Sequence, residues 1–125
     1  MRDMSEIKTF QDLDAWREAH VLVLQMYQET KTFPPDERFG LVSQMRRAVV
    51  SVTSNIAEGF SRLSYKEKVR FYYIAHSSLT EIQNQLIISR DVGFLSEESF
   101  TLTWAQSVHV HKILNGLIKA SRLRF

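Results

Sequence analysis

The sequence predicts an all-α protein: an up-down-up-down antiparallel four-helix bundle, with residues 1–125 as a single domain. Three observations carry this. Apolar residues recur every three or four positions in four separate stretches, which is the period of a helix face. Proline, serine or glycine stands at the ends of these stretches, where such residues start or stop helices. No stretch alternates apolar and polar residues between turn pairs such as Asn-Gly, so strands have no support. Long helices joined by short connections then favour antiparallel neighbours.

The polar opening, Met1 to Lys8, is expected to fray. A first helix is expected at about 12–31, where Leu13, Trp16, Ala19, Val23, Met26 and Tyr27 fall at helical spacing. Asp12 and Asp14 suit the positive end of its dipole. Phe33-Pro34-Pro35 ends it, because a residue before proline is pushed away from helical angles. Pro35 then suits the first turn of a second helix, about 36–60. Val42, Met45, Val49, Val52 and Ile56 give that helix an apolar seam. Gly40 and Gly59 each cost a helix interior roughly 1 kcal/mol. Gly59 therefore marks a close contact, a bend or a cap. Ser64 and Glu67 have capping-box spacing and open a third helix, about 65–92, which Gly93 stops. Ser96 with Glu97 and Glu98 opens a fourth, about 97–121.

The last two helices carry more apolar surface than one stripe. Val69, Tyr72 and Leu79 are offset from Phe71, Ala75, Ile82 and Leu86. Phe100, Trp104, Val108 and His111 are separate from Leu102, Val110, Ile113 and Leu117. A second buried surface is commonly used for self-association, so a homo-oligomer is expected.

With 44% hydrophobic and 24% charged residues, the composition is that of an ordinary soluble globular protein. The absence of cysteine excludes disulfides and thiolate metal sites and fits a reducing cytoplasm. No apolar run approaches the roughly 20 residues of a membrane span, and the N-terminus lacks a signal-peptide core. The net charge of +2 is unevenly spread: residues 1–45 carry −3 and residues 46–125 carry +5. A basic half of this kind attracts polyanions.

Catalytic chemistry finds no foothold. His20 and His76 each stand alone on their helices, and His109 and His111 point to different sides of theirs. Glu58, Glu67 and Glu81 would have to meet inside the bundle to bind a metal, without histidines at ligand spacing. No serine lies in a G-x-S-x-G turn, and neither a Walker loop nor G-x-G-x-x-G occurs. The expectation is a non-enzyme with no metal and no cofactor.

What remains is polar. Arg47, Ser51, Asn55, Glu58 and Arg62 form one row on the second helix, matched on the third by Ser78 and Glu81 beside Arg70, Ser77 and Gln85. If the rows face each other, Arg47 and Arg62 find carboxylates at Glu81 and Glu58, and the row acts as a hydrogen-bonded network that fixes helix register or a subunit contact. The competing reading is a recognition surface. Arg46, Lys66, Lys68, Arg70, Lys112, Lys119, Arg122 and Arg124 are candidate phosphate contacts. Tyr65, Tyr72 and Tyr73 lie near the basic run, where stacking on bases competes with core packing.

The succession Phe10, Asp12, Leu13, Ala15, Trp16, then Phe33-Pro34, then Gln44-Met45-Arg46-Arg47-Ala48, then Asn55-Ile56-Ala57-Glu58-Gly59 with Arg62, resembles a known family. These are the small four-helix-bundle proteins associated with intervening sequences in bacterial 23S ribosomal RNA genes. Arg70-Phe71, Ile74-Ala75, Ser78-Leu79 and Glu81-Ile82 continue the likeness, which runs to about Leu95. The resemblance implies a bacterial, cytoplasmic, helical protein that assembles as a ring such as a pentamer. That family is similar in fold to accessory proteins of diversity-generating retroelements, which bind nucleic acid and a reverse transcriptase. It supplies no catalytic residue. The expectation is a non-catalytic oligomeric bundle binding RNA or DNA through its basic surface, with a protein-interaction scaffold as the alternative.

Overall fold

A computed structural model describes residues 6–125, which leaves most of the opening expected to fray outside the described residues. Among the described residues there are four α-helices: α1 Asp14–Thr30, α2 Leu41–Ser61, α3 Tyr65–Asp91 and α4 Glu97–Arg122. Each packs on two neighbours, α1 on α2, α2 on α3, α3 on α4 and α4 on α1, closing an up-down-up-down antiparallel bundle.

Two helices start later than their periodicity suggests, and side chains explain both shifts. Phe10–Asp12 form a separate 3₁₀ turn. The Asp12 carboxylate accepts the backbone N–H groups of Lys8 at 2.9 Å and Thr9 at 3.0 Å, so it caps this turn instead of opening α1. Pro35–Glu37 likewise close a 3₁₀ turn of their own. Gly40 then leaves helical angles, with φ −109° and ψ −111°, and becomes the N-cap of α2 rather than an interior residue. The other boundaries follow local chemistry closely. Ser64 Oγ accepts the N–H of Glu67 at 3.2 Å, and Ser96 Oγ accepts that of Ser99 at 3.1 Å. Gly93, at φ +85°, ends α3: its N–H reaches the Arg90 carbonyl at 3.0 Å while that of Phe94 reaches Ser89 at 2.9 Å.

Val42, Met45, Val49, Val52 and Ile56 are all buried, so the α2 seam is one wall of the core. On α1 the core residues are Ala15, Ala19, Leu22 and Met26; Leu22 takes the place expected for Val23, while Trp16 is half-buried and stacks on His20 at 4.8 Å. The two apolar rows expected on α3 merge into one face, where Val69, Tyr72, Ala75, Leu79, Ile82 and Leu86 are buried together. Neither row expected on α4 is its core face. That face is Thr103, Ser107, Val110, Leu114, Ile118 and Ser121. Small polar residues, Thr103 with Ser107 and then Ser121, flank the aliphatic centre of this face, Val110, Leu114 and Ile118. Phe100, Trp104 and Val108 then fill the seam beside it half-buried, and Leu102 stays 63% exposed.

Gly59 is a close contact. A Cβ there would stand 2.6 Å from Tyr72 Cε1 and 3.0 Å from the Lys68 carbonyl oxygen. The absence of a side chain lets α2 and α3 meet just before the connection that joins them.

Candidate functional site

The polar row on α2 divides into three parts. At the α2–α3 seam the Ser51 and Ser78 hydroxyls are 2.8 Å apart, and Asn55 Nδ2 donates to the Ser51 carbonyl at 2.8 Å and to its hydroxyl at 3.0 Å. These three residues are half-buried and tie the two helices together. Glu58 and Arg62 form a 3.4 Å pair one turn apart, with side chains 56% and 41% exposed, and such a surface pair contributes little. Arg62 also lies 4.5 Å over the Phe71 ring. Arg47 does not find Glu81. Both border an open recess with Gln44, Ala48, Ser51 and Ser78, but Glu81 instead accepts from Gln85 Nε2 at 3.0 Å. Nor do Glu58, Glu67 and Glu81 meet inside the bundle, since all three are exposed.

Two of the eight candidate phosphate contacts are engaged at helix ends. Arg46 Nε donates to Thr30 Oγ1 at 3.0 Å, a second guanidinium nitrogen reaches the Tyr27 carbonyl at 3.4 Å, and the group lies 4.5 Å over the Tyr27 ring. It completes the C-terminus of α1. Lys68 Nζ donates to the Phe60 carbonyl at 2.6 Å, near the Phe60 and Tyr65 rings, and so serves the C-terminus of α2. Burial holds its ammonium below the ordinary lysine range.

The other six stay outward: Lys66, Arg70, Lys112, Lys119, Arg122 and Arg124 are exposed. Because α3 begins where α4 ends, most of them collect at one end of the bundle. Arg122 donates to the Tyr73 hydroxyl at 3.2 Å, and Arg124 lies 5.1 Å over Tyr65. Tyr72 is core, whereas Tyr73 is 45% exposed. Lys112, Asn115, Lys119 and Arg122 follow helical spacing along one edge of α4. Between that edge and α3 runs an open groove of about 530 Å³, walled by Tyr73, His76, Asn115, Ile118, Lys119, Arg122 and Leu123, with no carboxylate among them.

His76 is not solitary. Its Nε2 lies 2.6 Å from Nε2 of His111, with ring centroids 4.4 Å apart, and the pair bridges α3 and α4 behind this groove. Residues 76 and 111 are far apart in sequence, so helix periodicity alone gives no sign of it. Desolvation, with a smaller contribution from His111, lowers the His76 pKa from its ordinary value. Among the described residues no group of three or more His, Cys, Asp or Glu gathers to hold a metal, and no helix is long and apolar enough to cross a membrane.

The model of the 23S rRNA-intervening sequence protein family matches residues 11–116. The chain belongs to that family. The match runs beyond Leu95, where the residue-by-residue likeness ended, into α4. A crystal structure of a protein from Bacteroides thetaiotaomicron, of the S23 ribosomal protein family and of unknown function, is similar with a TM-score of 0.78. It covers 84% of this chain and 98% of its own at 18% identity, a level that speaks to fold alone. No curated protein matches this chain. In this member of the intervening-sequence family, the residues that carried the resemblance have structural work. Met45, Ala48 and Ile56 are core, Asn55 holds Ser51, and Gly59 admits Tyr72.

Proposed function

We propose that this 23S rRNA-intervening sequence protein is a non-catalytic, cytoplasmic homo-oligomer that binds RNA or DNA through the basic end of its bundle. The observation that carries this reading is the carboxylate-free groove between α3 and α4, flanked by exposed Lys119 and Arg122. Lys66, Arg70 and Arg124 extend the positive surface onto the same end, and Lys112 extends it along α4. Cations placed this way neutralise phosphates and release counterions, and an oligomer multiplies the patch. Exposed Val21, Leu24, Ile74, Ile88 and Leu102 are apolar residues on helix surfaces that contact between subunits would cover. A ring such as a pentamer is the assembly proposed.

The test is binding of a structured RNA and a DNA duplex at two salt concentrations. Replacing Lys119, Arg122 and Arg124 together by Ala should flatten the salt dependence by about 0.7–0.9 for each phosphate that is no longer neutralised. No binding even at low salt would refute the reading. For the assembly, light scattering at micromolar concentration decides, and a clean monomer would sink it. A second reading, a protein-interaction scaffold, is favoured by Phe39, which is 87% exposed beside a concavity of about 580 Å³ that Tyr27, Val42, Val50 and three arginines also line. Under that reading nucleic-acid affinity is absent and Phe39→Ala releases a protein partner.

A further inference from the structure

The nucleic-acid reading leaves the paired histidines unused, yet they stand at the wall of the groove that carries it. We infer that the α3–α4 groove is a proton-coupled site for phosphate groups, those of a phosphodiester backbone or of a free polyphosphate, in which the bridged His76–His111 pair takes up one proton as the phosphate enters. The inference rests on the proposed polyanion binding and adds its location and its linkage to pH.

The geometry limits what the pair can do. Two Nε2 atoms 2.6 Å apart hold one proton between them. In the neutral pair one ring gives that proton and keeps a bare Nδ1, while the other accepts it and carries its own proton on Nδ1. One more proton fits on the bare Nδ1 with the bridge intact, and the hydrogen bond then becomes charge-assisted. A second would put N–H against N–H and break the bridge. The pair is thus a one-proton device with a charge of zero or +1.

The surroundings decide when the proton goes on. Lys119 and Arg122 from α4 and the Tyr73 phenol from α3 border the groove on which His76 opens, and no carboxylate among its lining residues offsets them. With the groove empty, partial burial and, to a smaller extent, the neighbouring His111 oppose a positive charge on His76. A phosphate seated between Lys119 and Arg122 reverses the sign of the local field. It favours the protonated pair, and by linkage the protonated pair favours the phosphate. Asn115 adds a neutral amide able to donate to a phosphate oxygen, and the exposed Tyr73 ring offers a face on which a base can stack. From Lys112 to Arg122 the α4 edge is about 15 Å long at 1.5 Å per residue, which spans a few nucleotides.

Fluorescence anisotropy of a labelled single-stranded RNA oligonucleotide tests this at constant ionic strength, with isothermal titration calorimetry of inorganic pyrophosphate as the free-phosphate arm. Between about pH 8 and about pH 6 the wild type should tighten several-fold, within the limit of about tenfold per pH unit for one proton. His76→Gln and His111→Gln, with helix content checked by circular dichroism, should bind with that slope flattened. Arg122→Gln, a surface change that spares the fold, should bind more weakly at both pH values and keep the slope. Binding that is independent of pH in the wild type, or a slope that survives both histidine substitutions, overturns this inference and leaves the nucleic-acid reading standing. Pyrophosphate binding with the pH slope but no oligonucleotide binding supports the phosphate site and overturns the nucleic-acid reading. Binding of neither overturns both.

Discussion

One substitution, glycine to alanine, should have opposite signs at two helical positions of this chain. Inside an exposed helix the change stabilises by about 0.5–1 kcal/mol, because glycine loses more backbone freedom on folding. Gly116, on the outer surface of α4, has nothing within 4 Å of the place a Cβ would take, so Gly116→Ala should raise stability by about that amount. Gly59 is helical too, but its added methyl group would meet Tyr72 Cε1 at 2.6 Å, Cδ1 at 2.9 Å and the Lys68 carbonyl oxygen at 3.0 Å. Tyr72 is only 2% exposed, so its ring has no free space to enter, and the third contact is backbone. Relief requires α2 and α3 to separate, which strains the Lys68–Phe60 hydrogen bond as well. Overpacking of this kind costs about 1–3 kcal/mol. After the propensity gain the net loss for Gly59→Ala is about 1–2 kcal/mol. Urea denaturation followed by circular dichroism measures both variants. The midpoint should fall for Gly59→Ala and rise for Gly116→Ala at similar m-values. A midpoint for Gly59→Ala at or above wild type would refute the close-approach argument.

Glu29 gives a pH-dependent prediction: desolvation raises its carboxyl pKa above 4.5, partly offset by the hydrogen bond from the Thr103 hydroxyl. The fold therefore binds this proton more tightly than the unfolded chain, so the stabilisation is complete below the unfolded value and is lost as pH rises through the folded one. Gln25 Oε1 and Glu29 Oε2, one turn apart, are buried without hydrogen-bond partners, and Glu29→Gln removes the buried charge and adds an amide donor. Solvent screens this half-buried group, so the substitution should stabilise by only about 0.5–1 kcal/mol at neutral pH, with the advantage shrinking toward pH 4 in denaturation curves; a pH-independent difference would disprove the assignment. Asn55→Ala removes two hydrogen bonds to Ser51, worth about 1 kcal/mol, partly offset by the better helix propensity of alanine. Thermal melts should show a loss of about 0.5 kcal/mol with nucleic-acid affinity unchanged, and weakened binding at unchanged stability would return the α2 polar row to recognition. Lys68→Met keeps the apolar stem but abandons the Phe60 carbonyl, so chemical denaturation should report a loss of about 1 kcal/mol while the salt slope of binding stays at its wild-type value. A reduced slope would place Lys68 among the phosphate-binding cations after all.

Ser64, Ser96 and Gly93 set helix ends through hydrogen bonds to backbone within a few residues, and signals of that range are legible in one dimension. The α2 seam is equally legible, because a 3.6-residue period needs no knowledge of the partner helix. Asp12 and Gly40 misled at the same range, since whether a polar or flexible residue caps a 3₁₀ turn or opens an α-helix depends on how the chain enters the bundle. The tertiary structure alone decided the rest. Periodicity gives each helix its faces but not its rotation or height against a neighbour. Only the folded bundle brings His111 to His76, sends Arg46 and Lys68 to helix ends, and leaves Arg47 short of Glu81. Side-chain hydrogen bonds and ion pairs form within about 3–4 Å, less than the 5.4 Å rise of one helical turn, so the pairings that set the candidate site depend on a register the sequence pattern does not encode.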